Sequence, residues 1–141
     1  MIWDTAKTKE PIKRIDIQSF VGYEIAWSNN EDFLFVSALG GKIVALDSKN
    51  FNVACVERFS AEDDLKVEAC TANWKTLPGK VLCGSGKGHI TWYNCVDGKL
   101  KKEKEFLAHL DGCRNLNLHP HEKFLLSTGK DSSARMWNCS S

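Results

Sequence analysis

Long apolar runs are missing from this 141-residue chain, and no uninterrupted stretch approaches the roughly 20 residues that a membrane-spanning helix needs. Asp4, Lys7, Lys9 and Glu10 stand where a secretory leader would place its apolar segment. An excess of charge is missing too. Nineteen Lys and Arg against 18 Asp and Glu leave a formal charge of +1, so no strong field draws in nucleic acid or an anionic membrane. Close cysteine pairs are also lacking: Cys55, Cys70, Cys83, Cys95, Cys113 and Cys139 are scattered singly. That pattern excludes the usual zinc spacings and fits reduced thiols, with Cys55, Cys70 and Cys113 packed as small apolar residues in strand-like segments. The expected setting is the cytoplasm or nucleus, with no membrane, metal or cofactor. Helical periodicity of useful length does not occur either.

A repeat takes its place. Trp3-Asp4, Leu46-Asp47, Tyr93-Asn94 and Trp137-Asn138 follow one another at intervals of 43, 47 and 44 residues. Trp27, Trp74 and Leu118 recur in phase, 47 and 44 residues apart, each closing a short alternating apolar segment. An apolar run follows each of them, at 33–38, 81–84 and 124–127, and then a turn and the strand that ends in the dipeptide. A period of roughly 40 to 45 residues with four strands per unit predicts an all-β propeller built of four-stranded antiparallel blades.

The turns have suitable chemistry. Gly40-Gly41, Gly86-Lys87-Gly88, Asp97-Gly98 and Gly129 supply the positive φ angles that tight hairpins need. Gly84-Ser-Gly-Lys-Gly88 has the look of half a phosphate loop, but it lies between two strands with no helix to follow and reads as a hairpin. Residues 99–105 alternate Lys and Glu on the expected outermost strand of a blade, where charge protects an exposed edge. His119-Pro120-His121 sits in a turn after an inner strand and reads as solvated, as does Glu62-Asp63-Asp64 between blades.

The last repeat is the fullest: His109-Leu-Asp-Gly-Cys-Arg-Asn-Leu-Asn-Leu-His-Pro, then Phe124-Leu-Leu-Ser-Thr-Gly-Lys-Asp131, then Ala134-Arg-Met-Trp-Asn138. It resembles a WD40 repeat. In that family a His before the innermost strand, a Ser or Thr on the second strand, an Asp in the next turn and the Trp bond to one another. Carried over by position, the resemblance implies His109, Thr128, Asp131 and Trp137. A buried carboxylate, imidazole, hydroxyl and indole satisfy one another in such a cluster, which makes it structural rather than hydrolytic. Gly40 and Lys87 stand where two other blades should have Asp, so those blades are expected to rely on apolar packing.

The repeats divide the chain into 1–20, the end of one blade; 21–60, the second; 65–107, the third; and 109–141, a fourth lacking its outer strand. Met1 to Asp4 and Lys13 to Ile17 are expected to be the last two strands of the first. About three blades cannot close a ring that typically has four to eight, and an open arc leaves apolar faces uncovered. The chain is expected to be part of a larger propeller. The alternative is a homodimer in which two chains close one six-bladed ring, each N-terminal strand completing the other's last blade.

No metal spacing, activated nucleophile or paired carboxylates in a cleft appear, so no catalytic residue is assigned. The WD40 resemblance implies a non-catalytic scaffold that binds other proteins in a multisubunit complex, with Tyr23 and Arg114 as candidate contacts. A narrower similarity, carried by 24–28, 44–49, Asn73-Trp74, 88–93 and 130–137, is to WD-repeat subunits of the THO complex. It implies nuclear mRNA processing and export, with RNA contact indirect. The alternatives are a WD40 adaptor for a ubiquitin ligase or a vesicle coat, or RNA binding through Lys99, Lys101, Lys102 and Lys104.

Overall fold

The computed structural model describes residues 1, 2, 4, 6, 10–15, 22–38, 41–58, 67–71, 75–77 and 79–139, with the side chains of Tyr23 and of 67–70 not included. Trp3, Gly40, Trp74 and the acidic run 62–64 lie outside these residues. Eleven strands form three antiparallel sheets, and no helix occurs among the described residues. The first sheet is β1 (Gly22–Trp27), β2 (Phe33–Ala38), β3 (Lys42–Asp47) and β4 (Val53–Arg58). The second is β5 (Val67–Thr71), β6 (Lys80–Ser85), β7 (His89–Val96) and β8 (Lys99–Leu107). The third has three strands, β9 (Cys113–Leu118), β10 (Phe124–Gly129) and β11 (Ala134–Asn138). Within each sheet the strands pair in chain order, so every connection is a hairpin.

Sequence sets these hairpins locally. Val96 pairs with Lys99 across a two-residue loop in which Asp97 has φ 49° and Gly98 φ 76°. Two successive left-handed residues match the twist of the flanking strands, and Asp-Gly reaches that conformation at low cost. Of the strand expected at 13–17, Lys13 makes one antiparallel bridge with Ile2, while 16 and 17 lie outside the described residues.

The sheets stack face to face with β1, β5 and β9 adjoining on the inside. In β2, β3 and β6 both faces are apolar because both are covered. Phe35, Ile43 and Ala45 of the first sheet pack against Val81, Cys83 and Tyr93 of the second. Leu82 and Ile90, on the second sheet's opposite face, meet Cys113, Leu116 and Leu125 of the third. Leu34, Val36, Val44 and Leu46 form a further cluster on the first sheet's outer face, with Ile15 against it. Each fully buried Leu, Ile or Val contributes roughly 1.5–3 kcal/mol, so these layers supply most of the stability. The outer strand β8 buries Leu100, half-buries Phe106 and exposes Lys99, Lys101, Lys102, Glu103, Lys104 and Glu105. Three sheets do not close a ring, and the result is an open arc.

Candidate functional site

The densest polar cluster lies where the third sheet meets the second. His109, in the loop between β8 and β9, has no solvent exposure. Its Nδ1 lies 2.9 Å from Asp131 Oδ1 and 3.1 Å from Ser133 Oγ, and its Nε2 is 2.8 Å from Ser127 Oγ. Trp137 Nε1–H donates to the same Ser127 oxygen at 2.8 Å. An indole can only donate, so Ser127 accepts from Trp137. The Asp131 carboxylate can only accept, which places an imidazole proton on Nδ1 and, in the neutral ring, leaves Nε2 to accept from the Ser127 hydroxyl. Every donor in the chain runs toward one carboxylate.

Asp131 collects more than the histidine. The Leu110 N–H donates to Oδ2 at 3.0 Å, the Ser133 hydroxyl to Oδ1 at 2.7 Å, and Arg135 Nη2 reaches Oδ2 at 3.3 Å. Arg135 Nη1 also donates to the Ala108 carbonyl. Burial alone would raise this carboxyl. The Leu110 and Ser133 N–H groups, the Ser133 hydroxyl and His109 more than offset that and hold it well below the usual carboxylate range. Gly129 makes room for the ring, because a Cβ there would collide with His109.

Three of the four residues carried over from the repeat motif, His109, Asp131 and Trp137, are thus joined. Thr128 is not, and the hydroxyl is supplied by Ser127. Successive strand side chains point to opposite faces, and Thr128, paired with Asn115 and Ala134, belongs to the face turned away from the second sheet. A shift of one residue along a strand reverses the face. Ser133 and Arg135 were not singled out by the motif, although both follow Asp131 at the short spacings that let a side chain reach back across a turn.

The other sequence candidates are dispersed. Arg114 is exposed on β9, and Tyr23 lies on β1 with its side chain outside the described residues. His119 and His121 are exposed in the β9–β10 turn, their rings 5.6 Å apart. No group of three or more His, Cys, Asp or Glu that could hold a metal occurs among the described residues. Residues 84–88 form the β6–β7 hairpin, in which Ser85 Oγ accepts from the Lys87 and His89 amides. Cys55, Cys83, Cys95, Cys113 and Cys139 form no disulfide, and burial pushes the thiol of Cys95 up to about 11 and raises that of Cys139.

Two contacts between distant segments escaped the sequence. Glu122, at φ 57° in the β9–β10 turn, accepts from the Lys75 and Thr76 amides and the Thr76 hydroxyl, tying the third sheet to the β5–β6 loop. Its partners lie 46 and 47 residues away, so no local pattern marks it. On the outer rim Lys104 Nζ sits 3.9 Å above the Trp92 ring, and Lys80–Glu103 and Lys102–Glu105 are paired. Ion pairs and a cation–π contact therefore already engage much of the basic strand. Inside the arc, a cleft of about 790 Å³ is lined by Glu24, Ile25, Trp27, Glu31, Thr71 and Leu116 among others. Its described lining includes carboxylates but no His, Cys or Lys.

Comparison with known proteins agrees with this geometry. Residues 98–138 match the family model "WD domain, G-beta repeat". The matched segment runs from the Asp97-Gly98 hairpin through β8 and then β9–β11, so one sequence repeat straddles two sheets. A chain in a crystal structure of a mitotic checkpoint complex superposes with a TM-score of 0.71 at 17% identity, over 89% of this chain. This chain spans 37% of that one. No curated protein matches the chain in sequence. Among the described residues no helix is long and apolar enough to cross a membrane. Residues 98–138 are thus similar to a WD40 repeat, and the three sheets have the fold of β-propeller blades.

Proposed function

We propose that this chain is a non-catalytic scaffold that binds other proteins, one section of a WD40-type propeller. The state of His109 carries this proposal. Histidine, carboxylate and hydroxyl side by side are the parts of a hydrolytic triad, yet here the imidazole is fully buried, both ring nitrogens are engaged, and Ser127 Oγ already accepts the Trp137 indole. A nucleophile must reach its substrate, and this one faces the interior. The cluster holds a sheet together, and contacts with other proteins fall to the surface, where exposed Arg114 of β9 is a candidate. The similar chain in the mitotic checkpoint complex is part of a multi-protein assembly, which is in keeping with such a role.

Support for a finer role, a THO/TREX-type subunit in nuclear mRNA processing and export, comes from the sequence segments at 24–28, 44–49, 88–93 and 130–137. Affinity purification of the tagged chain from cells, with and without nuclease, tests both levels. Defined protein partners that resist nuclease and are lost in Arg114→Glu support the scaffold. Partners outside mRNA export would reject the finer role alone. Recovery of RNA with a steep loss on raising salt would instead point to the lysines of β8 and overturn the proposal.

A further inference from the structure

We draw no further inference here: the strongest candidate, the cleft of about 790 Å³ inside the arc, walled by Ile25 and Trp27 of β1, Thr71 of β5 and Leu116 of β9, is bounded by the inner strands of an arc that does not close, and nothing in the structure shows what covers it.

Discussion

The first and third sheets hold the same backbone register with opposite chemistry. Where the third sheet has Ser127 and Trp137 tied through His109 to Asp131, the first has Val36 and Leu46 in a purely apolar cluster. The second sheet is intermediate, with Cys83 and Tyr93 at those positions, and burial, reinforced by the nearby Cys83 thiol and the charges of Glu57 and Glu105, pushes the Tyr93 phenol well up. All three solutions leave the strands in the same order. The polar network is therefore not needed to make a sheet of this shape. What it adds is a tie from the sheet to the loop before it, because Asp131 also holds the Leu110 amide and Arg135 the Ala108 carbonyl. Apolar packing cannot fix a loop in that directional way.

The contrast can be broken most severely at Gly129. An added methyl in Gly129→Ala must displace His109, and urea unfolding should show a loss of about 3 kcal/mol, as for overpacked cores. Exchanging the two chemistries one residue at a time comes next. Ser127→Val leaves the Trp137 and His109 nitrogens without their partner and should cost about 2 kcal/mol. Val36→Ser should cost a similar amount by burying an unpaired hydroxyl among aliphatic side chains. If either substitution proved neutral, the two chemistries would be interchangeable at a single position, contrary to this account.

Acid should separate the sheets further. The Asp131 carboxyl is held below its ordinary value of about 4 in the folded state. Its stabilisation is therefore fully present above that pH and is lost as the pH falls toward the folded value. Hydrogen exchange between pH 5 and 3 should show amides of β9–β11 losing protection before those of β2 and β3. The smallest effect is expected from Thr128→Val, within about 0.5 kcal/mol of the parent, since this side chain lies outside the network.

Much of this was legible in the sequence. The 43- to 47-residue period comes from the repetition of one four-strand unit, and hairpins such as Asp97-Gly98 are written in residues that tolerate positive φ. His109, Asp131 and Trp137 follow from the repeat motif because each occupies a distinct turn or strand end. Ser127 and Thr128 are adjacent hydroxyls, and only the register of β10 against β11 decides which one faces inward. Glu122 and the Lys104–Trp92 contact depend on which loops and strands meet in space, and neither leaves a local signature.

Nitrogen NMR of the His109 imidazole tests the central claim most directly, because the Asp131 carboxylate facing Nδ1 and the Ser127 hydroxyl at Nε2 favour one tautomer of the neutral ring. The account predicts a proton on Nδ1, with Nε2 accepting a hydrogen bond, at neutral pH. A proton on Nε2, or two averaged nitrogens typical of a solvated ring, would contradict it.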